Sequence, residues 1–284
     1  MKIFITGSSG KIGRNLTNFL IKNKFSCIIN SKRKLKRKTL KLYQNDILQK
    51  NFKIPNCDAI IHLAAVTPEK NKKKIFLNKS IDEKIFSEVK KNKNIKKLIF
   101  LSTAAVYNSF NNMKKLNEKS KNFSSSIYSY LKLRSERLFL QNKALEVYIL
   151  RVPALLSTGC ENNFIGNLIN KIKNNKRIEL YNSNQLFNNL LLIETLNGFI
   201  LNLLKNKYKS GCIILGTKKS LKLIKITQIV SKYFKVKSNI NWLSDKKRGF
   251  YLNTSNAIKN YNFKTINTEK SIIKYLIHNY PKNA

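Results

Sequence analysis

At 284 residues the chain is long enough for one large α/β domain, or for a nucleotide domain with a small second lobe, and it needs no disulfide or metal staple to bury a core. Its 56 lysines and arginines against 14 acidic residues give a net charge of +42, an excess that attracts polyanions without sequence preference. The excess is mostly lysine, is spread over the chain and comes with no RNA-recognition, helix-turn-helix or zinc-finger signature, so no specific nucleic-acid partner is expected.

The first stretch, KIFITGSSGKIG from Lys2 to Gly13, joins a short apolar run to glycines at Gly7, Gly10 and Gly13. Lys2 to Thr6 reads as a buried strand, and Ile12, Leu16, Phe19 and Leu20 recur at helical spacing through Lys22. The glycines therefore sit where a strand becomes a helix. Such a turn can be tight, its backbone can approach a pyrophosphate, and the first N–H groups of the helix attract the negative charge. Gly7, Ser9, Gly10, Lys11, Ile12 and Gly13 are the expected phosphate-binding residues.

Ser26 to Asn30 reads as a second strand, followed by Ser31, Lys32 and Arg33. A free ribose 2′-hydroxyl usually meets an acid about 20 residues beyond the glycines, whereas a 2′-phosphate meets basic groups. No acid stands here, which favours NADP(H) over NAD. Leu40 to Tyr43 is a short third strand, and Asp46 and Ile47 follow it where a carboxylate could accept from the adenine amino group. Asp58 to Ala65 is a strand ending in small residues, so Leu63, Ala64 and Ala65 can let backbone touch the cofactor; His62 reads as a core residue. A helix from about Lys74 to Asn92 and a strand from Lys97 to Ser102 complete the alternation, which predicts a parallel sheet with ligands at its carboxyl ends.

At that end stands Ser102-Thr103-Ala104-Ala105-Val106-Tyr107, and downstream lies YSYLK from Tyr128 to Lys132. Tyr128 and Lys132 share one helix face, so an ammonium can lie near a phenol and stabilise its anion. A tyrosine starts with a pKa near 10, and each unit of lowering corresponds to about 1.4 kcal/mol of preference for the phenolate.

With the TGxxGxxG turn, the HLAA and STAAVY strand ends and YxxxK in this order, the chain resembles the extended short-chain dehydrogenase/reductases, specifically the NAD-dependent epimerase/dehydratase family. Asn78, Thr103 and Tyr128, each 25 positions from the next, follow that family's pattern, and Leu150-Arg151-Val152-Pro153 resembles its LRxP strand end beside the nicotinamide. Phe187-Asn188-Asn189, Phe250 to Asn253 and a terminal helix near Glu269 to Tyr280 are similar to its later segments.

The resemblance implies Thr103, Tyr128 and Lys132 as the catalytic set. Tyr128 would exchange a proton with a sugar hydroxyl or ketone. Lys132 would hydrogen-bond the nicotinamide ribose and lower the Tyr128 pKa, Thr103 would hold the substrate oxygen, and Asn78 and Pro153 would line the cofactor site. It also implies a Rossmann-type doubly wound parallel sheet over residues 1–155, with 188–216 returning to it, and a small C-terminal α/β substrate lobe from 156–187 and 217–284. Ala104 and Ala105 stand where 4,6-dehydratases carry Asp-Glu, and the cysteine of fucose-synthase-like members is absent, which leaves redox at a single carbinol.

The expected activity is therefore a keto-sugar reductase acting on a nucleotide-activated sugar for surface polysaccharide synthesis. The alternatives are a nucleotide-sugar 4-epimerase and a non-catalytic dinucleotide-binding regulator. Cys27, Cys57, Cys160 and Cys212 are scattered, with no CxxC pair and no metal-type clustering with His62 and His278, so no metal and a reducing cytoplasm are expected. The glycine turn follows Met1 closely and no run approaches the roughly 18 apolar residues of a membrane span, so neither a signal peptide nor a membrane partner is expected. A homodimer built on a four-helix arrangement that includes the YxxxK helix follows from the resemblance.

Overall fold

The structure is a computed structural model that describes residues 1–32, 41–67, 72–107, 114–120, 126–158, 162–237, 239–243 and 249–281. Arg33, Cys160 and the bulk of the Lys32–Lys41 basic run lie outside these residues. In chain order the strands and helices are β1 (Lys2–Thr6), α1 (Lys11–Lys22), β2 (Ser26–Ser31), β3 (Lys41–Gln44), β4 (Ala59–His62), α2 (Lys72–Lys91), β5 (Lys97–Thr103), β6 (Lys114–Leu116), α3 (Ile127–Leu140), β7 (Glu146–Val152), β8 (Ala154–Leu156) and α4 (Phe164–Lys173). There follow β9 (Ile178–Tyr181), β10 (Leu186–Phe187), β11 (Leu190–Leu192), α5 (Ile193–Lys205), β12 (Gly211–Ile214), β13 (Leu221–Lys222), α6 (Leu223–Phe234), β14 (Ile240–Leu243), β15 (Phe250–Leu252), α7 (Ser255–Tyr261) and α8 (Thr268–Asn279).

The chain divides into two compact units. The first comprises 1–107, 122–151 and 197–213; the second comprises 108–121, 152–196 and 214–284. Residues 188–196 and 214–216 thus go with the second unit, as does the early excursion that contains β6.

The first unit is built on a seven-stranded parallel sheet in the order β12-β7-β5-β4-β1-β2-β3. β1, β2 and β4 read as near-continuous apolar runs because helices cover both faces of a parallel sheet, leaving no solvated side to alternate toward. β1 pairs in parallel with β2 on one side and β4 on the other, with Ile3 opposite both Cys27 and Ala59. The chain therefore reverses its direction of travel across the sheet at β1. In open α/β sheets that reversal opens the ligand crevice at the carboxyl ends of the strands. Phe4, Ile28, Phe52, Ile60, Ile85, Val89, Leu98, Phe100, Phe139 and Ile149 form the core between the sheet and α2 and α3.

The second unit packs α4, α6 and α8 around Leu156, Ile165, Ile169, Ile226, Val230, Ile272 and Leu276. Among its described residues are four two-stranded pairings: β8 with β11, β9 with β14, β10 with β13, and β6 with β15. Among the described residues no helix is long and apolar enough to cross a membrane.

Candidate active site

The glycine turn follows β1 and the HLAA segment follows β4, and the structure presses the two together backbone to backbone. Gly7 holds φ +68°, and a Cβ there would lie 2.6 Å from the Ala64 nitrogen. At Gly13 a Cβ would lie 2.3 Å from the Gly7 carbonyl oxygen, so only glycine lets α1 start this close to the turn. Gly10 differs. A Cβ there would meet only the Gly7 oxygen, at 3.3 Å, and Gly10 is the N-cap of α1 with no side-chain capping bond. The helix start is thus a preformed cradle for an anion, and the residues fit the pyrophosphate of a dinucleotide. Ser9 and Lys11 stand at the rim, with the Ser9 carbonyl accepting from Arg14 Nε at 2.8 Å.

The ends of β1, β2 and β3 are tied together beside this turn. Ser8 Oγ donates to the Asn30 carbonyl at 2.8 Å, and Asn30 Nδ2 donates to the Asn45 carbonyl at 2.9 Å. Ser31 is buried at the end of β2. Lys32 and Asp46, read from sequence as a phosphate ligand and an adenine ligand, form one ion pair at 2.8 Å. Burial pushes the Asp46 carboxyl up, but hydrogen bonds from Lys32 and the Leu48 N–H outweigh this and leave it below its usual value. The Ile47 side chain is turned into the core of the first unit. Arg33, the third residue of that expectation, lies outside the described residues.

Asn78 lies on α2 and is buried. Its side-chain oxygen accepts from the Val66 N–H at 2.7 Å and its amide donates to the Val66 carbonyl at 3.0 Å. It fixes the segment after Leu63, Ala64 and Ala65 by holding backbone. Pro153 is buried just beyond the end of β7.

Thr103 closes β5 and caps a short 3-10 turn, Ala104–Val106, its Oγ1 accepting from the Ala105 N–H at 3.1 Å. A hydroxyl that accepts one hydrogen bond keeps its own proton to donate. Tyr128 and Lys132 project from the first turns of α3, which starts at a capping box between Ser126 and Ser129. Lys132 Nζ lies 6.0 Å from the Tyr128 ring centroid and 4.4 Å from that of Phe100, and donates to the Leu101 carbonyl at 3.1 Å.

The electrostatics correct one expectation. Lys132 was expected to lower the Tyr128 pKa; among this chain's own groups the phenol is pushed up to about 12, first by burial and then by the Asp82 charge. Lys132 itself is pushed down by burial, against the pull of Asp82 and Glu136. Burial and the Asp82 charge thus both favour the protonated phenol.

Two buried polar networks lie behind this pair, and the sequence reading did not assemble them. In one, Glu136 on α3 accepts from Arg151 Nε at 3.1 Å through both carboxylate oxygens and from Ser102 Oγ at 2.5 Å, while Arg151 reaches the Tyr107 hydroxyl at 2.6 Å. In the other, Asp82 on α2 meets His62 Nε2 at 2.8 Å and accepts from the Ser135 hydroxyl; His62 Nδ1 meets Thr6 Oγ1 at 2.6 Å. His62 is a core residue, its ring tilted against Phe100 and edge-on to Phe139. The available signal for Asp82 was an acid within the inward stripe Asn78, Ile81, Asp82, Ile85, Val89.

Comparison with known proteins agrees with this architecture. A UDP-N-acetylglucosamine 4-epimerase from Bacillus cereus is similar over 98% of this chain and 99% of its own, at 20% identity and a TM-score of 0.79. A UDP-glucuronic acid 4-epimerase from Bacillus cereus, in complex with NAD, is similar over 99% and 100% of the two chains, at 19% identity and a TM-score of 0.81. An ADP-L-glycero-D-manno-heptose-6-epimerase from Helicobacter pylori is similar over 99% and 96%, at 17% identity and a TM-score of 0.80. At these identities the likeness is one of fold. The comparison with curated proteins gives no match. Residues 3–189 match the NAD dependent epimerase/dehydratase family, and with its glycine turn, Thr103 and YxxxK helix the chain belongs to that family.

Proposed function

We propose that the protein is an NAD(P)-dependent oxidoreductase that works at one carbinol of a nucleotide-activated sugar, and that it does so as a 4-epimerase. The observation that carries this reading is the single acid/base station: Tyr128 with Lys132 on α3 and Thr103 at the end of β5, followed by Ala104 and Ala105. Elimination of water would need a further acid and base, and those two alanines supply neither. The similar structures bear the names of epimerases, which is why the epimerase stands before the reductase.

The turn from Gly7 to Gly13 with Ser9, Lys11 and Ile12 would hold the pyrophosphate, Ser31, Lys32 and Arg33 the adenosine ribose, and Leu63 to Ala65 the adjoining backbone wall. The bound dinucleotide would supply a hydride acceptor and donor. Thr103 would donate its hydroxyl proton to the reacting oxygen and so orient it. Tyr128 would take the proton of that hydroxyl or return it. Lys132, with one N–H on Leu101, keeps two for a ribose. The first unit would be the dinucleotide domain and the second the substrate lobe, in a cytoplasmic enzyme. Phe76 and Leu77 on α2 and Tyr130 on α3 are exposed, which supports a homodimer through these helices.

The reductase is the second reading, favoured by the missing acid after β2, where Ser31 and Lys32 stand. Purification with the retained cofactor identified by mass, followed by incubation with UDP-sugars, separates the two. Turnover on retained NAD with no net redox supports the epimerase; stoichiometric consumption of NADPH overturns it in favour of the reductase. If Tyr128→Phe leaves the biological activity intact while the dinucleotide still binds, both enzyme readings are wrong.

A further inference from the structure

The first unit has a second concave feature, at the opposite edge of its sheet from the glycine turn. The chain enters β4 through the loop that holds Lys50 to Ile54 and β5 through the loop that holds Asn92 to Asn94, and the two loops meet the last turns of α2 around a bay of about 580 Å³. Because β1, β4 and β5 run parallel, the amino ends of β4 and β5 lie at the far edge from the carboxyl end of β1. The walls of the bay are fastened to one another. Lys84 Nζ on α2 donates to the Lys50 carbonyl at 3.5 Å, and Asn94 Nδ2 donates to Asn56 Oδ1 at 3.0 Å. Phe52 and Ile54, both buried, form an apolar floor.

The charge around this bay is one-sided. Lys50, Lys53, Lys84, Lys91 and Lys93 line it, against one carboxylate, Glu88. Glu88 Oε1 meets Lys84 Nζ at 3.2 Å and Lys91 Nζ at 3.0 Å, so a single acid answers two bases. Lys50, Lys53 and Lys93 have no ionic partner among the described residues. The carbonyl end of the α2 dipole accounts for Lys91, but Lys50 and Lys53 come from another segment and gain nothing from it. A cleft lined by one sign of charge over an apolar wall focuses its field and concentrates counter-ions. Four ammonium groups in excess of carboxylates, in so small a space, match several negative charges held close together, as in linked phosphate groups.

We propose that this bay is a binding site for a compact, freely diffusing anion with several phosphate groups, separate from the dinucleotide cradle. A nucleic-acid strand fits it less well, because strands are held in extended grooves with exposed aromatic platforms, and Phe52 at the floor is fully buried.

The test needs no turnover. Inorganic tripolyphosphate is titrated calorimetrically into the full chain at 0.15 M salt, where charges beyond about 8 Å are screened, and is expected to bind saturably whether or not NADH is present. Orthophosphate should bind at least about tenfold more weakly. In the triple variant Lys50→Gln, Lys53→Gln, Lys93→Gln the affinity for tripolyphosphate should fall at least about tenfold. The control Lys264→Gln, Lys270→Gln, Lys274→Gln removes the same charge from exposed positions of the second unit and should bind as wild type. Equal losses in the two triple variants would reduce the effect to net charge and overturn the proposal. So would binding that NADH abolishes, which would put the anion in the glycine cradle, or displacement of tripolyphosphate by a lower concentration of oligothymidylate, which would make the bay part of a nucleic-acid track. A chain that binds no NADH yet loses tripolyphosphate with the three bay lysines would sink the oxidoreductase reading and leave this site standing.

Discussion

Lys132 lies 6.0 Å from the Tyr128 ring centroid on one side of α3, yet it gives its hydrogen bond to the Leu101 carbonyl at 3.1 Å. The ammonium is thus anchored to the end of β5, which fixes where its charge sits. Phe100 beneath it adds a cation–π contact at 4.4 Å and removes water from that side.

Tyr128→Phe should remove proton transfer and leave dinucleotide binding in place. The phenol oxygen is the acid/base group, and its loss is expected to cut turnover by about 10²–10⁴-fold with the retained cofactor unchanged. Steady-state rates beside the cofactor content of the purified variant measure both. Equal losses of rate and cofactor would make Tyr128 a binding residue only.

The three glycines should separate into two kinds. Gly7→Ala must adopt positive φ and meet the Ala64 nitrogen at 2.6 Å, and Gly13→Ala meets the Gly7 oxygen at 2.3 Å, so both are expected to lower stability by about 1–3 kcal/mol or more. Gly10→Ala has only a 3.3 Å contact to relieve and should melt near wild type, while placing a methyl over the start of α1 and weakening dinucleotide binding. Thermal melts and fluorescence titration with NADH distinguish the groups; a Gly10→Ala protein that binds as wild type would move the pyrophosphate elsewhere.

Much of this site could be read from the chain because its signals are local. The glycine turn is a strand-to-helix junction within twelve residues, Tyr128 and Lys132 are one helical turn apart, and Thr103 ends a strand bounded by charge. What escaped depends on partners distant in sequence. Asp82 meets groups 20 and 53 residues away, and in the second unit Ile240 pairs with Ile178 and Phe250 with Lys114, so neither the buried network nor those sheets leave a periodic trace. Spacing reveals the Lys132 ammonium near Tyr128 but not the burial and the Asp82 carboxylate that push the phenol up.

The Lys32–Asp46 pair should act as a switch on cofactor choice. Lys32 is 61% exposed and Asp46 31%, so the pair contributes little stability, and breaking it is cheap. Asp46→Asn releases the ammonium and removes a negative charge that would oppose a 2′-phosphate. The ratio of NADP⁺ to NAD⁺ affinity is expected to rise by about tenfold, and to fall in Lys32→Ala. Calorimetric titration with each dinucleotide gives the ratio; an unchanged value in both variants would separate this pair from the ribose.

Removing one partner of the Glu136–Arg151 clasp should be far more damaging than removing both. Each is buried, and Arg151→Met leaves the Glu136 carboxylate without its guanidinium while also releasing the Tyr107 hydroxyl. A loss of about 3–5 kcal/mol is expected for Arg151→Met, with substantial recovery in the double variant Glu136→Gln, Arg151→Met. Urea unfolding of the four proteins gives the coupling, and additive losses would show that the two charges do not depend on each other.

Acid should act on the fold through Asp82 before it acts on the chemistry. Burial would raise this carboxyl, but the His62 hydrogen bond and charge, then the Lys132 charge and the Ser135 hydroxyl, bring it below its ordinary value in the folded chain. A group lowered on folding gives its stability in full above the unfolded pKa, near 3.9 for an aspartate, and loses it as pH falls through the lower folded value. Glu88, bridged to Lys84 and Lys91, and Asp46 are lowered as well and contribute in the same direction. The urea midpoint is therefore expected to hold between pH 7 and about 5 and to drop steeply below about 4. In Asp82→Asn the midpoint should start lower at pH 7 and fall less on acidification, with the remaining slope set by Glu88 and Asp46. Parallel pH curves for the two proteins would mean that Asp82 carries no charge in the folded state.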